Sequence, residues 1–582
     1  MQKLQPLPSR KVEKRIVRQL IEAILFEGLM DVEKTVPELD DTLVTFTIFG
    51  KGQTYFCEGK ITAFDRVRVK EESIRTLHPD GSSAETRMKE LTEDLISDPE
   101  KRSLLIRELE QTALLVEWNE ANLMPAISRR GFSYEELESE IWEGHPYHPC
   151  FKARTGFTLE DHAAFGPEAR QSFVLQWAAV KREHSRIALL EEDEQGFWEK
   201  ELGPSVFEQM LDELQARGKD FHEYTLMPIH PWQVQYAKAE VDKGEIVLLK
   251  TTGDSYRATQ SVRTLWNASD PEKAHVKLSM NMVNTSSLRT LNTHAICAAP
   301  PISQWIADTV ESDRYLKEEA SLIILKEYAG VAYQPTEQTE TKFGAIWRES
   351  IRLYTEEEEE AVPFTALPLI ERDGMPFLDD WLKRYGTEKW LTRLIEVSVV
   401  PVWHLLVSHG IAVEAHAQNM ILLHENGLPT RVALRDFHDS TEYHHAFLKE
   451  PSKVPEFSRI HEQFNNGEAD EYYWMSSVEA LRELVMDTLF VFHLSELSFA
   501  LQERYGFSEE RFWEMVRDAI AGHMNRYPEL LYRNSLLHHT APTVFAESLL
   551  KRKTKNEEAG GLRHLVTNSL AESQKRVYQK EN

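Results

Sequence analysis

Two neighbouring segments combine hydroxyls with isolated cations. Thr259-Gln-Ser-Val-Arg-Thr264 is followed by Lys277-Leu-Ser-Met-Asn-Met-Val-Asn-Thr-Ser-Ser-Leu-Arg-Thr290. Hydroxyl donors and a guanidinium fork suit carboxylate and phosphate oxygens. Ser261, Arg263, Thr264, Lys277, Thr285, Ser286, Ser287 and Arg289 are therefore anion-site candidates. Acids are almost absent between Ser255 and Thr293, where Asp270 and Glu272 fall together in one loop. The whole chain carries 67 basic and 95 acidic residues, a net charge of −28. A locally positive stretch in so acidic a chain marks a place where an anion would be held. No G-x-x-x-x-G-K-[ST] loop occurs, so the phosphate chemistry is not of the P-loop kind.

Two further stretches carry His-Pro pairs. Gly144-His-Pro-Tyr-His-Pro-Cys-Phe-Lys-Ala-Arg-Thr-Gly156 places His145 and His148 on a backbone that Pro bars from helix. Such a loop suits donors aimed at an anion, or is a turn with surface histidines. Ile229-His-Pro-Trp-Gln233 follows a strand-like run. Its His230, Trp232 and Gln233 line a pocket, or they are a capped turn and a core aromatic.

A last constellation is Glu414-Ala-His-Ala-Gln-Asn419, then Asn426-Gly427, then Leu434-Arg-Asp-Phe-His-Asp439. Asn-Gly is a strong hairpin signal. Folding the strand-like runs Ala412–Leu423 and Arg431–Phe437 at this turn brings Asp436 opposite Ala415–Ala417. Glu414, His416, Asn419 and Asp436 then converge. Oxygen donors of these types suit Mg²⁺ better than zinc. An Asn on one element and an Asp on the next strand is how kinase-type sites hold nucleotide magnesium. Neither H-E-x-x-H nor G-x-S-x-G occurs, which argues against a zinc hydrolase and a serine nucleophile elbow.

The elements that position these residues belong to a chain of 582 residues, too long for one compact core. Hydrophobic residues at 41% and charged residues at 28% exclude disordered and fibrous classes. The acidic balance argues against a nucleic-acid partner. Cys57, Cys150 and Cys297 form no pair at metal or disulfide spacing and fit a reducing compartment. No signal-like apolar run opens the sequence. The uncharged stretch Val397–Val413 contains Pro401, His404, His409 and Gly410, short for a membrane span and wrong in texture. The expectation is a cytoplasmic, enzyme-sized protein without a membrane partner.

Apolar residues Val12, Ile16, Leu20 and Ile24 predict an amphipathic helix over 12–29. Alternation from Leu43 to Phe64 predicts a small meander. Residues 84–125 and 168–217 read as helical. Short runs at Leu226–Pro228, Ile246–Lys250, Val276–Met280 and Leu322–Lys326 predict a sheet. Glu356–Glu360 reads as a solvated charge run. Residues 378–409, Val478–Arg504 and Glu509–Met524 return to helix, and the charged tail after Lys551 reads as loosely ordered. The class is α+β.

In this order, GHPYHPCFKARTG, IHPWQ, SVRT, KLSMNMVNTSSLRT, GIAVEAHAQN and LRDFHD resemble the IucA/IucC family of siderophore synthetases, also called NRPS-independent siderophore synthetases. The resemblance spans residues 144–439. It implies a three-part cupped-hand fold: a mainly helical thumb with a small N-terminal sheet (1–200), antiparallel-sheet fingers (201–375) and a helical palm (376–582) with a catalytic hairpin at 412–437. It implies activation of a carboxylate of citrate, or a related polycarboxylate, with ATP and Mg²⁺. A polyamine, amino acid, hydroxamate or alcohol then attacks the acyl adenylate, releasing AMP. Lys277, Arg289, Thr285, Ser286 and Ser287 would hold ATP phosphates, joined by His145 or His148. Ser261, Arg263, Thr264, Arg289 and His416 would meet the substrate carboxylate. Glu414, Asn419 and Asp436 would hold Mg²⁺, with Asn419 and Asp436 also at the nucleotide. Lys277, Arg289 and His416 would be the catalytic residues. A homodimer is also implied. Some relatives carry a C-terminal part similar to ferric reductases, whose iron–sulfur cluster needs cysteines; no cysteine follows Cys297 here. Two other readings fit parts of the pattern: a small-molecule kinase releasing ADP, and a non-catalytic binder of citrate or ferric siderophore.

Overall fold

The computed structural model describes residues 9–36, 43–78, 80–190, 193–335, 340–554 and 562–571. The predicted first helix is Arg10–Glu27, with Val12, Ile16, Leu20 and Ile24 buried along one stripe. The strands Val44–Phe49 and Thr54–Ile61 pair antiparallel in register Val44↔Gly59, inside a six-stranded meander sheet. Val44, Phe46 and Ile48 face inward while Thr45 and Thr47 are half-buried, the alternation of a one-sided sheet. The helix Pro99–Asn122 starts where Asp98 accepts from Glu100 N at 2.8 Å, with Pro at the first position.

Residues 168–217 are not all helical. Phe173–Val174, Gln176–Lys181 and Ser185–Leu189 are strands, and helices begin only at Glu194–Leu202 and Pro204–Ala216. Gln176–Lys181 is the centre of a three-stranded sheet, between Tyr224–Ile229 and Ile246–Leu248. Its Trp177, Ala178, Ala179 and Val180 are all buried. A strand covered on both faces has no period-two alternation, and pairing with distant strands overrides alanine's helix preference.

The central feature is a seven-stranded antiparallel sheet. Its order is Phe173–Val174, Ser255–Ala258, Thr264–Asn267, His275–Leu278, Gly344–Arg348, Glu327–Tyr333, Ser185–Leu189. The helix Thr293–Ser312, in a stretch where the sequence suggested no element, lies across it. The approach is close: a Cβ on Gly330 or Gly344 would stand 2.7 or 2.6 Å from Ile296 side-chain atoms.

The C-terminal part carries the helices Thr387–His404 and Glu509–Arg526 and the long helix Val478–Tyr505. Thr387–His409, counted with its last turn, and Val478–Tyr505 are long and apolar enough to cross a membrane, contrary to the reading of Val397–Val413 as too short. Their apolar windows are 83% and 67% buried against the rest of the fold, as core helices are. The predicted hairpin is present but shorter: Met420–Glu425 pairs with Leu428–Leu434. Ala412–Leu423 is not one strand, because Ile411–Val413 pairs instead with Thr441–Tyr443 and residues 414–419 form a loop between two sheets. The charge run ends inside a strand, Glu359–Pro363, where the Glu359 carboxylate binds Arg431 and Thr430. The tail is partly built in: Arg563–Thr567 pairs with Thr543–Glu547.

One continuous core joins the first helix and meander to the C-terminal helices, while the seven-stranded sheet has a core of its own around Trp177, Trp198 and Trp347. Arg66 ties the first core together. It is buried beneath Phe26, Tyr147 and Phe492, with its centre 5.2, 4.7 and 5.0 Å from the ring centroids, and bonds Glu496 at 2.8 Å.

The hairpin turn yields a test. Gly427 has φ 89, and a Cβ there would overlap the Trp381 ring. Gly427→Ala is expected to cost about 2–4 kcal/mol through strain and overpacking, read as a lower urea midpoint.

Candidate active site

The turn after Ser255–Ala258 closes with Thr259 N donating to Thr264 O at 3.0 Å. Val262 at its tip is buried with φ 67, a costly conformation for a β-branched residue. Ser261 Oγ donates to Thr264 Oγ1 at 2.9 Å. The turn sends Arg263 inward, where Nη1 donates to the carbonyls of Arg289 and Thr290 at 2.9 and 2.8 Å. Arg289 in turn donates to Asn284 O from Nε and Nη2, at 3.1 and 2.7 Å. Thr285, also left-handed at φ 60, bends the short hairpin that carries it. Ser286 is half-buried and Ser287 exposed.

Among the described residues, neither guanidinium forms an ion pair. Burial, then the neighbouring Arg263, pulls Arg289 down to about 9, and burial lowers Arg263. Two half-buried cations oriented by carbonyls, with no carboxylate paired to them, are the arrangement an anion would neutralise.

Lys277 sits opposite Thr264 in the ladder, with Nζ 3.6 Å from Asp436 Oδ1. Arg348 Nη1 donates to the same oxygen at 2.6 Å. Burial by itself would push the Asp436 carboxyl up, but Lys277, Arg348 and Arg435 hold it well below the usual carboxylate range. Burial lowers Lys277, and Asp436 opposes this. Asp436 lies past the end of Leu428–Leu434 at φ 64. Beneath it, Glu327 accepts from Phe437 N, His438 N and His438 Nδ1 at 3.0, 3.1 and 2.6 Å. Arg435 pairs with Glu138 at 3.0 Å and donates to Gln418 O at 2.8 Å.

The loop 414–419 is clamped by the long helix. Ala415 N donates to Thr488 Oγ1, and His493 Nδ1 donates to Ala415 O, each at 3.1 Å. These two partners lie in a π-helical segment, Met486–Leu494, an irregularity often found at functional sites. Asn419 Nδ2 donates to Glu414 O at 3.1 Å, which leaves its Oδ1 as an acceptor, and Arg435 N donates to Asn419 O at 3.0 Å. Both cations on Asp436 use Oδ1. Asn419 Oδ1 and Asp436 Oδ2 are thus oxygen donors of the kind Mg²⁺ takes. Glu414 is turned elsewhere: Oε2 accepts from Ser440 Oγ at 2.6 Å, and Oε1 lies 3.7 Å from His416 Nε2.

The two histidines of the His-Pro loop separate. His145 is half-buried, with Nδ1 accepting from Tyr147 N and His148 N at 3.1 and 3.0 Å. Burial, then His416, pulls it down to about 4, with Arg289 also contributing. His148 is fully buried, with Nδ1 capping Cys150 N. Lys152 and Arg154 of the same motif are consumed by buried Glu168. The loop still touches the anion site, since Thr155 N donates to Val283 O and Arg154 N to Asn284 Oδ1. In the other His-Pro motif, His230 is a capped turn residue bonded to Trp232 N, and Gln233 Oε1 holds Asn281 N.

Arg348 and Glu327 were not singled out by sequence. Each is a lone charge in an otherwise apolar strand, a signal that was available. Arg348→Ala leaves Asp436 with one direct partner and is expected to cost about 3–5 kcal/mol. Because Asp436 is held below its ordinary 3.8, this contribution is present above that pH and is lost only as pH falls through the folded value. The loss in urea midpoint is expected to be equal at about pH 6 and about pH 8.

Residues 133–368 match the IucA / IucC family, and residues 388–561 match the family described as ferric iron reductase FhuF-like transporter. The chain is 38% identical over 567 residues to a citryl-spermidine/3,4-dihydroxybenzoyl-citryl-spermidine:spermidine ligase of Bacillus anthracis, covering 93% of this chain and 90% of that protein. It is 29% identical to an aerobactin synthase of Escherichia coli, covering 77% and 79%. The crystal structure of the petrobactin biosynthesis protein AsbB from Bacillus anthracis superposes with a TM-score of 0.90 at 35% identity, covering 96% of this chain and 95% of that one. The aerobactin synthetase IucC of Klebsiella pneumoniae shares the fold at 0.80 and 24% identity, covering 96% and 98%. The α+β fold is thus that of the IucA/IucC siderophore synthetases, and the chain belongs to this family of siderophore-building ligases.

Proposed function

We propose that this ligase joins a carboxylate of citrate, or of a citrate derivative, to an amine at the expense of ATP. The observation that carries the reading is the pair of half-buried guanidinium groups without a paired carboxylate, Arg263 and Arg289, beside Lys277. Two polyanions must meet for a carboxylate oxygen to attack the ATP α-phosphorus, and fixed cations offset their repulsion. The new O–P bond forms as the bond to pyrophosphate breaks, giving the acyl adenylate. The amine nitrogen then attacks the acyl carbon, AMP leaves, and the amine gives up a proton. Orientation supplies much of the rate.

In this reading Lys277, Arg289, Thr285, Ser286 and Ser287 bind ATP phosphates. His145, partly exposed and in electrostatic reach of Arg289, joins them, and buried His148 supports the loop. Ser261, Arg263, Thr264 and His416 receive the substrate carboxylate. Asn419 and Asp436 hold Mg²⁺, whose charge would neutralise phosphate oxygens, and Glu414 stands outside that pair. The relative named as a spermidine ligase supports citrate-derived and polyamine substrates. The three-part division is retained with the first boundary near residue 170, because the strands from Phe173 to Leu189 join the central sheets. A cytoplasmic homodimer completes the reading; the three buried free thiols accord with a reducing compartment.

Wild-type protein with citrate and MgATP is expected to exchange pyrophosphate into ATP without amine, and to form AMP when amine is added. Lys277→Met and Arg289→Met are each expected to lower the exchange rate at least about 100-fold. Citrate-dependent ADP in place of AMP would overturn the ligase reading in favour of a kinase.

A further inference from the structure

Glu414, turned away from Asp436, faces a cavity of about 500 Å³. Its acidic walls come from several segments. The turn and strand after Asp436 supply Asp439 and Glu442, the π-helical segment supplies Asp487, the loop before Tyr472 supplies Glu471, and the C-terminal hairpin supplies Glu547 and Arg563. Arg563 is the one cation in the lining among the described residues.

Two of these carboxylates, Asp487 and Glu442, form no ion pair among the described residues, whereas Glu547 pairs with Arg552. Asp487 Oδ1 accepts only a backbone bond, from Glu547 N at 3.1 Å. Glu442 Oε2 is enclosed without a hydrogen-bond partner. Burial raises the carboxyls of Glu442, to about 7, and of Asp487, well above its usual range, and Arg563 opposes this only in part; burial also raises Glu547, opposed first by Arg552. A second feature is independent of the acids. His294, 8% exposed, lines the same cavity with Nδ1 unpartnered. Burial lowers its pKa, which favours the neutral ring, a form that can accept from an N–H. Enclosed acceptors of this kind call for a ligand that brings several N–H donors and positive charge.

We propose that this cavity binds the amine substrate as a linear polyamine. Its protonated nitrogens lie between Asp487 and Glu442, and its free amine end is presented past Glu414 and His416. The assignment rests on the ligase reading for the identity of that amine. It explains why Glu414 does not join Asn419 and Asp436: its carboxylate forms the boundary between the anion site and the cation site. A monoamine leaves the inner acceptors unmet, so selection favours chains with two or more ammonium groups.

The test is calorimetric titration of the full-length protein, with no turnover required. Spermidine is expected to bind at least tenfold more tightly than n-butylamine, and to weaken as NaCl is raised. Asp487→Asn is expected to weaken spermidine binding at least tenfold. Equal affinity for the two amines, or an unchanged spermidine affinity in Asp487→Asn, would overturn the proposal. Should Asp487→Asn not fold, the wild-type amine comparison decides alone. Citrate-dependent pyrophosphate exchange without amine is measured on the same wild-type sample. Loss of the ligase reading therefore shows as absent exchange, and loss of the cavity assignment as absent amine selectivity.

Discussion

Half-buried guanidinium charge, with no carboxylate paired to Arg263 or Arg289 among the described residues, is the constraint around which this protein is arranged. Arg263 and Arg289 are aimed by backbone carbonyls, and Lys277 shares Asp436 with Arg348. A guanidinium that donates to carbonyls keeps its orientation but not its neutrality. Such a site is costly in the empty protein and favourable once an anion enters. The backbone shows the same tension. Val262, Thr285 and Asp436 all adopt left-handed conformations, two of them at β-branched residues, within the turns that aim these groups. Strain of this order persists only where surrounding structure imposes it.

That surrounding structure comes from both ends of the chain. The first helix, the meander and the C-terminal helices share one core, so the His-Pro loop and the loop 414–419 are fixed relative to one another. The central sheet keeps a separate core and brings the cations. His145, Arg289 and His416 therefore come within electrostatic reach although they belong to segments far apart in sequence.

Charge is also sorted across short distances. The cations lie on the sheet side of Asp436, and a cavity lined largely by carboxylates lies beyond Glu414. In the proposed reaction the two substrates have opposite charge. Separate sites of opposite sign would keep a polyamine from occupying the nucleotide site and hold it beside the acyl carbon.

Much of this was legible in the sequence. The amphipathic first helix, the meander, the Asn426-Gly427 turn and the six ordered motifs depend on local preferences and on residue types that no packing can alter. They were enough to indicate the α+β class and the family, and to single out the residues of a candidate anion site. Tertiary structure alone decided what each polar group meets. Arg348 reaches Asp436 across 88 residues, and nothing near either position in the chain signals the pairing. Gln176–Lys181 is a strand because two distant strands flank it, and full burial erased the alternation that would have revealed it. Lys152 and Arg154 stand in a His-Pro loop of the kind that suits donors aimed at an anion, yet Glu168 claims both. Glu414 looked like a metal ligand, yet the chain leaves the first strand pairing at that residue and sends its carboxylate to Ser440. Residue types and turn chemistry are local and can be read in order. The neutralisation of a buried charge is decided by whichever groups the packing brings within a few ångströms.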